Sequence, residues 1–564
     1  MRVYEAVGET LKQLGVDVLF GLLGGANLQL VTYWQTVLRR PYYAARHEGS
    51  AVAMADGYAR VSGRVGVATV TEGPGVTNTL TALTEAVKAS SPLLLIAGDT
   101  PTRLLYHPQA IDQAAVCSAV GAAVQPVHGP DMIVFDLVRA YQRALLEQRP
   151  VVLSLPTELQ TEACAAEALT AVSVPCRQAV RPTDEVIARL ADLVQAAQRP
   201  VILGGRGAAR AAAREPLVRL ADRIGALLAT TGQAKGLFAG HPYYIGSSGV
   251  FASPLGAQLL GQADLLLAFG ASLNHYTTRN RELYARSARF VQVDIRAAAL
   301  GALTPIDLGV VGDAAATAEA LDAELERRGF TSTGFRSAAL EQAIAQDRAP
   351  GEFVDQSNGQ TIDPRTLMLA LEQWLPRDRT VVLDSGHSMG WPTVYLTVPD
   401  ATAFVFANDF MVVGLGQAMA FGAAIARPER LTVAVIGDGG MMMSLGELDT
   451  IVRYQVPLLI VVMNDAAYGI EVHLLARAGQ PIEPALFPDR DFAAIARAVG
   501  AQGFTVRDLE DLAPLHDWLR EPVGPLVLDC KLDPRLRADW LSATLAPDSW
   551  YARLMRHGAA ASGR

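Results

Sequence analysis

Short, continuous apolar runs recur along the chain, and stretches with apolar residues at helical spacing separate them. The first such stretch, Tyr4 to Leu14, predicts an amphipathic helix leading into the strand VLFGL and a turn at Gly24-Gly25. A second helix is expected from near Glu48. The run VGVATVT then reads as a strand entering Gly73-Pro74-Gly75, LLLIAGD as one ending at Asp99, and PVVLSLP as the next. Apolar runs without alternation, each followed by a helix, indicate parallel strands covered on both faces.

The same rhythm appears twice more. After a break rich in Val, Ala and Pro at Ala171 to Pro182, it resumes with the strands RPVILGGRG, ADLLLAFGA and RFVQVDI. After a polar, glycine-bearing linker at Gly351 to Asp363, it resumes with the helix DPRTLMLALEQWL. The strands TVVLDSG, TVAVIGDGG, PLLIVVMND and PLVLDCKL follow. The expected fold class is α/β: three doubly wound parallel-sheet domains spanning 1–172, 183–345 and 362–545. There is no short repeat and no low-complexity segment.

Length and composition agree with this picture. A chain of 564 residues corresponds to about three or four domains, and a 50% hydrophobic composition supplies their cores. Forty-eight basic against 57 acidic residues give a net charge of −9, without a basic block, so nucleic acid is not expected as a partner. Cys117, Cys164, Cys176 and Cys530 are scattered, which suits a reducing compartment better than a disulfide framework or a zinc site. Neither Leu93–Ala97 nor Leu458–Met463 approaches the ~20 residues of a membrane helix. The longer stretch Val412 to Ala426 contains Gln417 and several glycines and reads as a buried helix. The N-terminus shows no signal-peptide pattern. A cytoplasmic protein without membrane contact is expected.

The sharpest chemical signal lies in the third unit. The strand LTVAVIG ends in Gly437-Asp438-Gly439-Gly440, and after one helix PLLIVVM ends in Asn464-Asp465-Ala466-Ala467-Tyr468-Gly469. Neighbouring parallel strands put both turns on one sheet edge, so Asp438 and Asp465 can converge on one cation. Their hard oxygens suit Mg²⁺ shared with phosphate, and the glycines admit a diphosphate at a helix N-terminus. An ordinary strand-to-helix turn with a solvent-facing Asp is the plainer alternative.

This pair of turns resembles the thiamine-diphosphate motif that runs from Gly-Asp-Gly to Asn-Asn, with Asp465 in place of the second Asn. In the first unit, Arg46-His47-Glu48-Gly49-Ser50-Ala51, Met54 to Arg60, Gly73-Pro74-Gly75 and Asn78 resemble the pyrimidine-binding domain of the acetolactate synthase, pyruvate decarboxylase and benzoylformate decarboxylase group. The likeness covers essentially the whole chain and is nearest to acetolactate synthase-like proteins. It implies the domain order pyrimidine-binding, central, diphosphate-binding, with thiamine diphosphate and Mg²⁺ as cofactors.

By the same resemblance Glu48 is the catalytic glutamate. Its carboxyl would hydrogen-bond the pyrimidine nitrogen so that the exocyclic nitrogen can take the proton from thiazolium C2. Read without the resemblance, Glu48 is a first-turn helix acid. Cofactor contacts are implied for Pro74, Asn78, Gly386, His387, Ser388, Met411, Val413, Gly437, Asp438, Gly439, Gly440 and Asp465. Metal ligands are implied at Asp438, Asp465 and the Ala467 carbonyl. Val413 would wedge beneath the cofactor, and the Met411 carbonyl would face its aminopyrimidine. Plain core packing for the apolar pair, and a helix N-cap for Asp384 to Ser388, are the local alternatives. The likeness also implies that two subunits share each cofactor, so a homodimer is the minimum unit, with a homotetramer common in the group.

The substrate side is mixed. Gln109, within His107-Pro108-Gln109-Ala110-Ile111-Asp112, resembles the Gln of an acetolactate synthase Phe-Gln-Glu segment; otherwise it is a polar loop residue. Pyruvate decarboxylases have a His pair in that segment and an Asp in the first glycine turn, where this chain has one His107 and Gly25. Benzoylformate decarboxylase has a histidine where Thr71 stands. Glu471 resembles a catalytic glutamate of pyruvate decarboxylases, or is an exposed helix residue. Leu474 replaces an acetolactate synthase Trp, and Glu72, in place of a small residue, reads as a solvated loop charge, the alternative being an acid near the pyrimidine that tunes protonation. The glycine turn Gly204-Gly205-Arg206-Gly207 is weak evidence for a dinucleotide, and FAD is not expected. The implied activity is decarboxylation of a 2-oxo acid with ligation to a second carbonyl. The alternatives are a non-ligating decarboxylase or C–C lyase, or a non-catalytic cofactor-binding protein.

Overall fold

The apolar runs form buried parallel strands in the computed structural model, which describes residues 1–553 apart from 105, 165–171, 174–177 and 348–352. Cys176 and parts of both expected breaks (171 and 174–177 in the first, 351–352 in the second) lie outside the described residues. The other three cysteines are buried free thiols.

Six strands make the first sheet: β1 (Leu19–Gly21), β2 (Tyr42–Ala44), β3 (Gly66–Val70), β4 (Leu93–Asp99), β5 (Ala123–Pro126) and β6 (Pro150–Pro156). Their order is 2-1-3-4-6-5. The second sheet holds β7 (Pro200–Gly204), β8 (Leu227–Thr230), β9 (Tyr244–Ser247), β10 (Leu265–Phe269), β11 (Arg289–Asp294) and β12 (Leu308–Val311), ordered 12-11-10-7-8-9. The third holds β13 (Arg379–Leu383), β14 (Phe404–Phe406), β15 (Leu431–Gly437), β16 (Leu458–Asn464), β17 (Gln502–Val506) and β18 (Leu526–Lys531). Its order, 14-13-15-16-18-17, repeats that of the first sheet. All strand pairs are parallel. The protein is thus built from three α/β units, two of identical topology. In those two, the chain reverses its winding between β1 and β3 and between β13 and β15, where a doubly wound sheet opens a crevice at its C-terminal edge.

The first and third units are joined by two helices. The helix Glu48–Ser62 is buried over most of its length, and the helix Gly416–Ala426 is buried from Gly416 to Ala424. The buried side chains of both belong to one apolar cluster. They approach closely because glycines face carbonyls. A Cβ at Gly57 would lie 2.2 Å from the Met419 oxygen, and one at Gly422 would lie 1.9 Å from the Met54 oxygen. Val412 to Ala426 therefore divides into a loop and a buried helix. Among the described residues no helix is long and apolar enough to cross a membrane.

Candidate active site

β15 and β16 lie side by side, with Gly437 paired to Met463. Asp438 therefore leaves one strand at the start of the helix Asp438–Met443, and Asp465 leaves the next strand two residues beyond Met463. The two carboxyl groups stand close enough to shift each other's titration. Burial raises the Asp438 acid to about 6. Burial first, and then the Asp438 charge, hold Asp465 well above the usual carboxylate range.

The turn after β16 puts Asp465, not Asn464, in the wall of a cavity. Asn464 points away from it, its amide nitrogen donating to Asp489, to the Arg490 carbonyl and to Asp529. Asn464 Oδ1 accepts the Ala466 N–H at 3.2 Å, with Ala466 left-handed at φ 51°. Ala467 pairs with Leu486 through the Tyr468 amide and the Ala466 carbonyl, which leaves its own carbonyl outside that pairing. Among the described residues no cluster of three or more His, Cys, Asp or Glu side chains could hold a metal. Two adjacent acids beside a backbone carbonyl left outside the strand pairing suit an ion that completes its shell with carbonyl and phosphate oxygens.

The surrounding cradle fits a diphosphate. Ser388 Oγ is buried and has no hydrogen-bond partner among the described residues, and a Cβ at Gly437 would lie 3.4 Å from it. A Cβ at Gly440 would lie 2.2 Å from Asp384 Oδ2, so only glycine leaves this wall open. Asp384 accepts the amides of Gly414 (2.7 Å) and Gly416 (3.2 Å). It thus serves the approach to the helix Gly416–Ala426 rather than capping the turn that follows it. His387 is committed differently: its Nε2 accepts the Ala538 N–H at 3.0 Å, and its ring meets His473 edge-on at 4.9 Å. Burial, with His473 and Arg537 nearby, pushes it down to about 3, so the ring is neutral. Met411 is left-handed, φ 58°, and 52% exposed.

Gly386, His387, Ser388, Met411, Val413, Gly437, Asp438, Gly439, Gly440, Asp465, Ala467 and Glu471 all line one cavity of about 1660 Å³. Glu471 is both exposed and part of this wall. Residues that the sequence reading did not select also contribute: Tyr276 of the central unit, and Trp540, Leu545 and Tyr551 near the C-terminus. Trp540 and Tyr551 belong to an aromatic cluster beyond the last strand, which is a sequence signal; Tyr276 and Leu545 have none.

Glu48, Pro74, Asn78 and Gln109 do not line that cavity. They gather at the corresponding edge of the first sheet. Asn78 Nδ2 donates to Glu48 Oε2 at 3.0 Å. Gly73, at φ 57°, lies against the Gln109 backbone, where a Cβ would come within 2.4 Å of the carbonyl oxygen. The Gln113 side chain accepts the Gly73 amide at 2.9 Å. Glu72 is not the solvated charge its loop position suggests. It is 7% exposed and accepts a hydrogen bond from Thr71 Oγ1, and Gly98 of β4 packs against its backbone, where a Cβ would lie 3.4 Å from the Glu72 nitrogen.

Domain models of the thiamine pyrophosphate enzymes match all three units. The N-terminal binding domain matches residues 1–116, the central domain 187–321 and the C-terminal binding domain 384–530. The chain belongs to the thiamine pyrophosphate enzyme family. A sulfoacetaldehyde acetyltransferase of Castellaniella defragrans is 30% identical to it, over 90% of this chain and 89% of that one. The acetolactate synthase isozyme 3 large subunit of Escherichia coli is 27% identical, over 90% of each. A 4-hydroxybenzoylformate decarboxylase of Rhodococcus jostii has the same fold. Its TM-score is 0.81 at 22% identity, covering 94% of this chain and 99% of that one. This thiamine pyrophosphate enzyme is thus similar in sequence to proteins named acetyltransferase and acetolactate synthase, and in fold to one named a decarboxylase.

Proposed function

We propose that this enzyme decarboxylates a 2-oxo acid and joins the resulting fragment to a second carbonyl, at a site shared by two copies of the chain. Bound thiamine diphosphate supplies the nucleophilic carbon and the electron sink for this chemistry. Asp438, Asp465 and the Ala467 carbonyl would hold Mg²⁺, with the Ser388 hydroxyl and the glycines at 437, 439 and 440 around the diphosphate. Glu48 would hold a proton at Oε1, the oxygen that Asn78 does not engage. Pro74 and Asn78 would border the pyrimidine, and Gln109 and Glu471 would meet substrate. The sharing between copies is supported by the separation seen within one chain, where Glu48 and Asn78 stand outside the cavity that Asp438 and Asp465 line. A homodimer is the smallest assembly that would complete a site; two dimers would make a tetramer.

The residue that supports the ligase reading is Thr71. Its hydroxyl accepts the Ala26 amide and donates to Glu72, and it stands where the resemblance puts the histidine of benzoylformate decarboxylase, so an imidazole that could hand a proton to a nascent aldehyde is missing at this position. Glu471, exposed in the cavity wall, favours the second reading, a non-ligating decarboxylase or lyase. A panel of 2-oxo acids with and without aldehyde acceptors, read by mass spectrometry, decides between them. Sulfoacetaldehyde belongs in the panel because a relative is named for it. Condensed hydroxyketones support ligation; free aldehyde as the sole product rejects it.

A further inference from the structure

The loop that carries Met411 and Val413 is fixed from behind by a buried ion cluster drawn from all three units. Glu85, on the helix Leu80–Lys88 of the first unit, is fully buried and spends its carboxylate on backbone. Its Oε1 accepts the Asp409 amide at 3.1 Å and its Oε2 the Phe410 amide at 2.6 Å. Arg60 balances the charge. It is bidentate to Asp56 (2.9 and 2.7 Å), donates to Glu85 at 2.9 Å, and reaches Asp409 at 3.2 Å and the Phe406 carbonyl at 3.1 Å. From the central unit, Gln233 donates to the same Phe406 carbonyl (3.1 Å) and to Asp409 (3.2 Å), while Arg206 pairs with the other Asp409 oxygen. Asp384 then holds the far end of the loop through Gly414 and Gly416.

Met411 lies between these two fixed points in a left-handed conformation that costs a non-glycine residue free energy. Its side chain is half exposed, so core packing does not enforce that conformation. The constraint comes from the amides and carboxylates on either side.

We infer that Glu85 is a positioning residue: by gripping the Asp409 and Phe410 amides it holds the Met411 carbonyl in the orientation that receives the 4′-amino group of thiamine diphosphate. This rests on the cofactor site proposed above and adds to it a buried group outside every motif. Asp56 is the internal comparison. It shares Arg60 with Glu85, and none of its hydrogen bonds goes to the loop. Loss of either carboxylate unbalances the cluster, but of the two only Glu85 bonds the Asp409 and Phe410 amides directly.

The test compares the full-length protein with the Glu85→Gln and Asp56→Asn variants. Calorimetry with Mg²⁺ measures binding of thiamine diphosphate and of its 4′-deamino analogue, and thermal unfolding is followed alongside. Both variants are expected to unfold at a lower temperature. Only Glu85→Gln should weaken thiamine diphosphate binding, by tenfold or more, with the deamino analogue weakened less than threefold. Equal loss for both ligands, or equal loss in Asp56→Asn, would overturn the positioning role and leave a structural one. If Glu85→Gln does not fold, Glu85→Asp keeps the charge while withdrawing it from the amides, and the same ligand-selective loss is expected. Failure of the unmodified protein to bind thiamine diphosphate would instead overturn the underlying cofactor site.

Discussion

Gly422 lies against the Met54 carbonyl so closely that a β-carbon there would come within 1.9 Å of the oxygen. With the reciprocal contact of Gly57 and Met419, it sets the distance between the first and third units along two nearly buried helices. Gly422→Ala would force this backbone contact apart, and no flexible side chain can absorb the displacement. We expect a loss of stability of about 3 kcal/mol or more, in the range of overpacked cores. Denaturant unfolding would measure it, and a midpoint unchanged from the parent protein would refute the tight-packing account.

Glu48→Gln keeps the shape of the side chain and can still accept the Asn78 hydrogen bond, but it cannot gain or lose a proton. Turnover should fall by roughly 10²- to 10⁴-fold, the span expected for a general acid–base group. Thiamine diphosphate affinity should change little. Steady-state kinetics together with calorimetry would separate the two effects, and full activity in the variant would exclude Glu48 from the chemistry.

The strands and the two acidic turns were legible because they are local: an apolar run and the glycines beside Asp438 declare themselves in a few residues. The three-residue strands β2 and β14 were not, because edge strands this short are defined by their neighbours. Glu72 was misjudged because Gly98, in a strand distant in sequence, packs against its backbone. Glu85 and Asp409 carry no local signature, and Arg60 was legible only as the end of the Met54-to-Arg60 stretch; the packed units bring the three together. Trp540 reaches the cavity because the chain after β18 folds back across the central unit, where it meets Phe251 at 5.5 Å.

His387 makes the stability of the cofactor-free protein depend on acidity. Its Nε2 lone pair is used by the Ala538 amide, and burial holds the folded-state value near 3. Above about pH 6.5 the ring is neutral in both states, so its contribution is fully present. As pH falls, the unfolded chain takes up the proton first. Stability is therefore lost progressively through the window down to the folded value, by about 2 kcal/mol at pH 5. Asp384 and Asp438, raised by burial to about 6, act in the opposite sense. The clean readout is therefore the difference between the unmodified protein and His387→Gln, from urea unfolding at pH 8 and pH 5. That difference should shift in favour of the variant by about 2 kcal/mol at the lower pH; a constant difference would contradict the assignment.

The shared site can be tested by mixing defects. Glu48→Gln alone should be inactive, and Asp438→Ala alone should lose metal-dependent cofactor retention. When the two variants are co-expressed, each mixed dimer would combine both defects in one site and leave the other site intact. Random pairing makes half of the dimers mixed, so activity should recover to about a quarter of the unmodified level. No recovery in mixed dimers isolated by two affinity tags would mean that Glu48 and Asp438 act within a single chain.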